Sequence, residues 1–227
     1  MHYLLLHSPL ISESCWDSVT PVLRRAGAEV STVRLEHHAN AEGRFHESHM
    51  DQVAKVLEQR RDEDLVVVAH SGAGKILTSF SPELFHSVVF LDAIFSLESN
   101  SRFDLFDDQK MVDSWRRNAR ENGGVFTANF LRALSLQIED PVLRERFVAR
   151  LAEVPLAIYE EKIGSHPAWN TYDRGLYIQW TSAYRKDAAR ATEAGFVVRV
   201  EAGSHFELLD SPAVVAGVIS DYVEGRG

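Results

Sequence analysis

The sequence has 227 residues, of which 45% are hydrophobic and 25% are charged. A chain of this length and composition can bury a core without disulfide bonds. Its single cysteine, Cys15, excludes both an intrachain disulfide and a thiolate metal cage. The 24 basic and 33 acidic residues give a formal net charge of −9 at pH 7, which argues against a nucleic-acid or anionic-membrane partner.

The sequence contains no recognisable targeting segment. Residues 1–7 lack a basic leader, and the longest apolar runs, such as residues 65–69, are too short to cross a bilayer. We therefore expect a soluble protein, located in the cytoplasm, where a free cysteine is compatible with the reducing environment. No phosphate-binding loop, dinucleotide-binding glycine pattern or haem motif occurs, so no cofactor is expected.

Short β-branched runs alternate with helical stretches along most of the chain. Strands are predicted at residues 3–6, 29–35, 65–69, 87–92, 175–181 and 196–201. Helices are predicted at residues 16–25, 50–61, 74–80, 186–194 and 212–223. This alternation, with short connections, predicts right-handed crossovers and an α/β fold with a doubly wound, mostly parallel, six-stranded sheet.

Residues 95–173 interrupt the alternation. They show amphipathic helical patterns at residues 110–118, 125–136 and 141–151 but no convincing strand, and Pro141 and Pro155 stand where helices often begin. We interpret this segment as an α-helical lid inserted between the fourth and fifth strands. Residues 1–94 and 174–227 then form the core.

The most informative turn follows the third predicted strand. A buried strand runs directly into a tight turn with Ser71 at its apex and a helix behind it, so small residues are needed at Ala69 and Ala73. Gly72 and Gly74 add room. Such a turn presents the serine hydroxyl and the first N–H groups of the helix to the same point. A capping serine would give a similar local pattern, and the buried strand before it favours Ser71 as a nucleophile.

A serine nucleophile needs a base and an acid from elsewhere in the chain. His205 follows the last predicted strand, and the carboxyl ends of parallel strands meet at the ligand-binding edge of the sheet. Asp92, a charge at the end of the apolar fourth strand, is the predicted carboxylate that orients the imidazole. Asp187, after the fifth strand, is the competing candidate, although it reads more like the start of a helix.

The order Ser71, Asp92, His205, together with the turn and the inserted segment, resembles the α/β-hydrolase superfamily over essentially the whole chain. An acid after the strand that follows the nucleophile helix is similar to the arrangement in thioesterase domains of polyketide and peptide synthesis. Residues 7–16 resemble the His-Gly start of small esterases and hydroxynitrile lyases. The resemblance implies an oxyanion hole at Gly72 and residues 8–10, and an ester or thioester substrate, free or carrier-bound.

Two residues depart from the family pattern at the expected oxyanion hole. Ser8 replaces the usual glycine, and Pro9 falls where the family supplies a backbone N–H, which proline lacks. Gly72 would remain as a donor, with the Leu10 N–H or the Ser8 hydroxyl as a replacement for the second. Loss of one such donor typically lowers turnover by about 10²–10³-fold.

Three functional hypotheses follow. The first is a serine hydrolase that forms an acyl-enzyme on Ser71 from a small, partly apolar ester or thioester. The second, motivated by Ser8 and Pro9, is a lyase, cyclase or epimerase that uses Ser71 and His205 for acid–base chemistry. The third is a catalytically silent binding module on the same scaffold.

Other clusters carry weaker signals. His37, His38, His46 and His49 fall in a polar stretch, residues 36–49, which is predicted to be a solvated loop near the pocket mouth rather than a metal site. His70 is expected to pack in the turn. The aromatic residues of the insertion are expected to form its own core, with some facing the cleft and favouring an apolar substrate. They are Phe103, Phe106, Trp115, Phe126, Phe130 and Trp169.

Overall fold

The computed structural model describes residues 1–225 and contains eight strands in that range. They are β1 (His2–Leu6), β2 (Glu29–Val33), β3 (Leu65–His70), β4 (Ser87–Leu91), β5 (Val125–Phe126), β6 (Val154–Pro155), β7 (Gly175–Gln179) and β8 (Val197–Val200). Six of them form one sheet in the order β2-β1-β3-β4-β7-β8, and every neighbouring pair is parallel. The predicted six-stranded parallel sheet is confirmed.

Helices cover both faces of this sheet. They are α1 (Val19–Arg25), α2 (Phe45–Gln59), α3 (Gly74–Leu77), α4 (Gln109–Glu121), α5 (Ala128–Leu134), α6 (Pro141–Val148), α7 (Ala157–Glu160), α8 (Arg185–Glu193), α9 (Glu207–Asp210) and α10 (Pro212–Val223). Alternate side chains of a strand point to opposite faces. Val66 and Val68 therefore pack in the core beneath α1 and α10, whereas Val67 and Ala69 pack beneath α2, α3 and α8. This double burial explains why β3 is apolar in sequence.

The insertion between β4 and β7 contains α4 to α7 and the two-stranded antiparallel pair β5 and β6. The expectation of no strand here was wrong, because strands of two residues are too short to show an alternating pattern. The helix predicted from residue 125 begins instead at Ala128, where the Thr127 side chain accepts a hydrogen bond from the Phe130 N–H. Pro141 does occupy the first turn of α6.

Helix α2 begins at Phe45, five residues before the predicted start at residue 50. His46 and His49 therefore lie in a helix and are buried, so the prediction of a solvated loop up to residue 49 was wrong. The two histidines and Val53 share one helix face at spacings of three and four residues. The first turn of α2 was missed because two residues of its buried face are histidines, which do not contribute to an apolar helical periodicity.

None of the helices described in residues 1–225 has the length and apolar content needed to cross a membrane.

Candidate active site

Ser71 stands at a strained turn directly after β3. Its φ angle is 57°, in the left-handed region that L-residues rarely adopt, and a short 3-10 turn over Ser71–Ala73 leads into α3. The chain after β4 crosses close behind this turn. A Cβ added to Gly74 would lie 1.9 Å from the Ile94 carbonyl oxygen, so a side chain there would collide with backbone. The glycine at position 74 of the sequence motif thus has a steric cause.

His205 and Asp92 form a close pair at the same edge of the sheet. The His205 Nδ1 lies 2.7 Å from Asp92 Oδ2. Because a carboxylate accepts hydrogen bonds and cannot donate them, Nδ1 carries the proton and Nε2 is left able to accept one. Both groups that the sequence placed at strand ends therefore meet, 113 residues apart in the chain.

Asp92 is fully buried, and further donors hold its carboxylate. The backbone N–H groups of Trp180 and Thr181 each donate to Oδ1 at 3.0 Å, and the Thr181 hydroxyl donates to Oδ2 at 2.7 Å. Together with His205, these groups give the buried charge four hydrogen bonds, as an ionised interior carboxylate requires. Thr181 follows β7, and nothing in the sequence alone connected it with Asp92.

Asp187, the competing candidate acid, lies in α8 and faces other groups. Its Oδ1 accepts a hydrogen bond from the Phe95 N–H at 2.9 Å and lies 3.3 Å from Arg190 Nη1. Burial raises the pKa of Asp187 to about 7, although these two donors stabilise the ionised carboxylate. Of the two carboxylates, Asp92 is the one that contacts His205.

His70 anchors the segment that carries His205. Its Nε2 lies 2.8 Å from the His205 carbonyl oxygen, and the two rings are 4.6 Å apart between centroids. Burial holds the pKa of His70 well below its usual range, so the ring is neutral and its one proton lies on Nε2, facing the carbonyl. His70 packs in the turn, as expected, and also links the end of β3 to the loop that carries His205.

Tyr184 is a member of the site that sequence analysis missed. Its hydroxyl lies 3.0 Å from the Ser71 Oγ, and its ring stacks on His205 at 5.2 Å with an interplanar angle of 8°. Burial raises the pKa of Tyr184 well above its usual range, so the hydroxyl keeps its proton at neutral pH. Within residues 1–225, the structure contains no hydrogen bond between the Ser71 Oγ and the His205 ring. The position of Tyr184 just beyond β7 was the available signal.

Ser8 and Gly72, which were predicted to contribute to an oxyanion hole, lie close together in the structure. The Leu10 N–H donates to the Ser8 Oγ at 3.4 Å, and that oxygen lies 3.3 Å from the Tyr159 hydroxyl. A Cβ added to Gly72 would lie 2.9 Å from the Ser8 Oγ and 3.2 Å from the Tyr159 hydroxyl oxygen. Pro9 contributes no N–H, and the Leu10 N–H is directed to Ser8. Tyr159, from α7 in the insertion, was not singled out in the sequence.

Comparison with known proteins places this geometry in a family. A family model described as the alpha/beta hydrolase family matches residues 3–218. The chain belongs to this family. The resemblance drawn from the order Ser71, Asp92, His205 is therefore confirmed at the family level. A search of curated protein sequences finds no significant match.

Solved structures of other proteins share the fold at low identity. An extracellular alpha/beta-hydrolase from a Paenibacillus species, described as homologous in structure and function to tobacco salicylic acid binding protein 2, has 19% identity, a TM-score of 0.82 and 98% coverage of both chains. A pyrethroid hydrolase from Sphingobium faniae has 16% identity and a TM-score of 0.71, over 99% of this chain and 97% of its own. Tomato methylketone synthase I, complexed with 2-tridecanone, has 13% identity and a TM-score of 0.73, over 100% and 98%.

Five of the predicted site residues line one cavity of about 300 Å³ together with residues of the insertion, and Asp92 and Pro9 are not among its lining residues. The five are Ser8, Leu10, Ser71, Gly72 and His205. Ser71, Gly72 and His205 form its floor, and Phe106 and Trp115 of the insertion are part of its wall. No Lys, Arg, Asp or Glu of the described chain lines this cavity. Phe103, Phe126 and Trp169 are buried in the packing instead, which agrees with the expectation that only some insertion aromatics face the cleft.

Proposed function

We propose that the protein is a serine hydrolase that cleaves an ester or thioester of a small, partly apolar molecule through an acyl-enzyme. The observation that carries this proposal is the 2.7 Å contact of His205 with Asp92, together with a serine at a φ of 57° that lines the same cavity as His205. That combination supplies a nucleophile, a base with a free Nε2 and a buried carboxylate that orients it.

The proposed reaction begins when the substrate enters and Ser71 exchanges its Tyr184 partner for the His205 Nε2. The Ser71 Oγ attacks the carbonyl carbon while its proton passes to His205, and Asp92 stabilises the imidazolium. The same proton then goes to the departing alkoxide or thiolate. Water, deprotonated by His205, attacks the acyl-Ser71 ester, and the carboxylic acid leaves with Ser71 restored.

We propose that residues 95–173 act as the lid of this site. Phe106, Trp115 and Tyr159 of that segment close the cavity over Ser71, which favours substrates with an apolar acyl or alcohol group. A cavity wall without charged residues disfavours charged groups next to the carbonyl. The proposed reaction needs only groups of this chain and water. We propose that the protein acts in the cytoplasm.

Turnover measurements test the proposal. The assay uses a panel of p-nitrophenyl esters and acyl thioesters of increasing chain length. We expect Ser71→Ala and His205→Ala each to lower kcat by about 10⁴-fold or more, because the reaction needs the nucleophile and its base together. Ser165→Ala is the matched control, since that serine hydrogen-bonds the Leu97 carbonyl outside the cavity. Wild-type rates in Ser71→Ala would contradict the mechanism.

A non-hydrolytic enzyme is the second candidate function. Pro9 lacks the backbone donor of the family's oxyanion hole, and the Ser71 Oγ is paired with Tyr184 rather than His205. A lyase, cyclase or epimerase would use Ser71 and His205 to move protons without an acyl-enzyme. Such an enzyme would exchange solvent deuterium into a substrate with an acidic C–H and leave esters intact. A silent binding module would do neither.

A further inference from the structure

Two side-chain hydroxyls, those of Ser8 and Tyr159, lie close to Gly72. Gly72 directly follows Ser71. A Cβ added to Gly72 would lie 2.9 Å from the Ser8 Oγ and 3.2 Å from the Tyr159 hydroxyl oxygen. The distance of 2.9 Å is shorter than the contacts that Cβ atoms make in proteins. The two hydroxyls can therefore lie here only because residue 72 has no side chain. They lie beside the residue whose backbone N–H is the remaining expected donor to an oxyanion.

The hydrogen bonds around Ser8 leave its proton available. The buried His7 ring accepts the Leu35 N–H at its Nε2, at 3.2 Å, so its Nδ1 carries the proton and donates to the Ser8 carbonyl at 2.9 Å. The Leu10 N–H donates to the Ser8 Oγ at 3.4 Å. The backbone and the oxygen of Ser8 are thus fixed by donors, and its hydroxyl proton is free to turn towards a new acceptor.

Tyr159 is similarly held as a donor. Its side chain is buried, and burial raises the pKa of the phenol above its usual range, so it stays protonated at neutral pH. In the structure the Tyr159 and Ser8 oxygens are 3.3 Å apart, so one hydroxyl donates to the other. An anion placed between them would accept from both, and only this weak mutual hydrogen bond would be lost.

A buried cation lies beside these groups. Arg102 is fully buried, its Nε donates to the Gly72 carbonyl at 3.3 Å and its Nη1 donates to the Ile158 carbonyl at 2.8 Å. Its guanidinium carbon lies 5.7 Å from the centre of the Tyr159 ring. Within residues 1–225 no carboxylate forms an ion pair with Arg102. The carboxylate of Glu161 acts on this charge only from beyond ion-pair distance, and the buried positive charge favours an anion next to Gly72.

We propose that the hydroxyls of Ser8 and Tyr159, with the Gly72 N–H, form the oxyanion hole and replace the backbone donor that Pro9 lacks. This inference rests on the proposed acyl-enzyme mechanism. When Ser71 attacks, the carbonyl oxygen becomes negative and accepts one hydrogen bond from each hydroxyl, without proton transfer. Tyr159 belongs to the insertion, so the oxyanion hole is complete only when the lid is in place.

The test compares ground-state and transition-state binding in Tyr159→Phe and Ser8→Ala. A trifluoromethyl ketone adds to Ser71 and carries an oxyanion, whereas the matching methyl ketone binds without one. We expect each variant to lower kcat for an acyl ester by about 10–10³-fold. Each should weaken the trifluoromethyl ketone about 10-fold or more, with less than about 3-fold change for the methyl ketone. Tyr172→Phe is the control, because it removes a buried hydroxyl outside the cavity.

The outcomes separate this inference from the function on which it rests. If the wild type hydrolyses esters and Tyr159→Phe and Ser8→Ala both keep its kcat and its preference for the fluorinated ketone, the hydroxyl oxyanion hole is wrong while the hydrolase stands. Equal weakening of both ketones would show that the residues only shape the cavity and would also refute it. A wild type that hydrolyses no ester or thioester would refute the proposed function itself.

Discussion

At the scale of single residues, the two acidic candidates Asp92 and Asp187 are expected to behave differently when each is made neutral. In Asp92→Asn the amide faces His205 Nδ1 and favours the tautomer whose Nε2 is already protonated, so the ring cannot accept the serine proton. We expect kcat to fall by about 10³–10⁴-fold. Asp187→Asn is the matched control, since its oxygen still accepts the Phe95 N–H.

Steady-state kinetics on one good ester substrate would decide between them. Asp187→Asn is expected to keep kcat within about 3-fold of the wild type, because Asp187 does not contact His205. The reverse ranking of the two variants would identify Asp187 as the acid and contradict the geometry.

The Ser71 hydroxyl is hydrogen-bonded to the Tyr184 hydroxyl, and the Tyr184 ring stacks on His205. Tyr184→Phe removes this hydrogen bond and keeps the ring that stacks on His205. Because such a bond contributes about 0.5–1.5 kcal/mol net, we expect covalent labelling of Ser71 to be unchanged or up to about 10-fold faster. Stopped-flow labelling with a fluorophosphonate measures the rate. A fall of more than about 10-fold would instead assign the Tyr184 hydroxyl a part in the reaction.

The site residues that follow the ends of strands could be predicted from the sequence, and two of them are in contact in the structure. Asp92 and His205 follow strand ends, so topology alone placed them at one edge of the sheet. Tyr159 could not be found in this way, because its place depends on how the insertion docks on the core. Arg102 escaped notice because a buried arginine has the same sequence signature as an exposed one.

At the scale of elements, the crossing of the chain behind the Ser71 turn predicts that a side chain at Gly74 is not tolerated. A Cβ at Gly74 would meet the Ile94 backbone oxygen at 1.9 Å, so Gly74→Ala must displace β3, α3 or the chain after β4. We expect it to lower the free energy of unfolding by about 1–3 kcal/mol. Chemical denaturation monitored by tryptophan fluorescence measures the change.

Gly217→Ala provides the control within the same protein. A Cβ at Gly217, in α10, meets no atom within 4 Å, so alanine should raise stability by about 0.5–1 kcal/mol through its better helix propensity. Similar effects of the two substitutions would mean that the turn is not packed as described.

The sequence predicted the six strands of the main sheet but not all of the smaller elements. Long apolar runs between helices carry a clear pattern, and β3 and β4 are found within a residue of their predicted ends. The pair β5 and β6 is set by contacts between distant parts of the insertion, which leave no local periodicity. In α2 the buried face is partly histidine, so its first turn resembled a loop.

At the scale of the whole molecule, histidines that are buried or half-buried make the free energy of unfolding depend on pH. Burial lowers the pKa from 6.5 to about 4 for His37, about 3 for His46 and about 2 for His49. Below pH 6.5 the unfolded chain therefore binds more protons than the folded protein, and stability falls as pH falls. Each group adds up to about 1.4 kcal/mol per pH unit to that slope.

The raised pKa of Asp187 has the opposite effect on how stability depends on pH. Its pKa is raised to about 7, so its contribution to stability is greatest below its unfolded value of 3.8 and is lost as pH rises towards 7. The three histidines outnumber it, and we expect a net loss of stability between pH 6.5 and 5.

Urea unfolding across pH 5–8 tests this balance. His49→Gln should flatten the loss of stability below pH 6.5, and His38→Gln, at an exposed position, should leave the slope unchanged. A wild-type stability that rises as pH falls from 6.5 to 5 would contradict the burial of these rings.

The most direct test of the central claim is the intact mass of the protein after exposure to a fluorophosphonate, with the adduct mapped by peptide sequencing. The account predicts one adduct, on Ser71, that is absent in Ser71→Ala and forms much more slowly in His205→Ala. No adduct on the wild type, or an adduct on another residue with Ser71 unmodified, would contradict a nucleophilic Ser71 activated by His205 and Asp92.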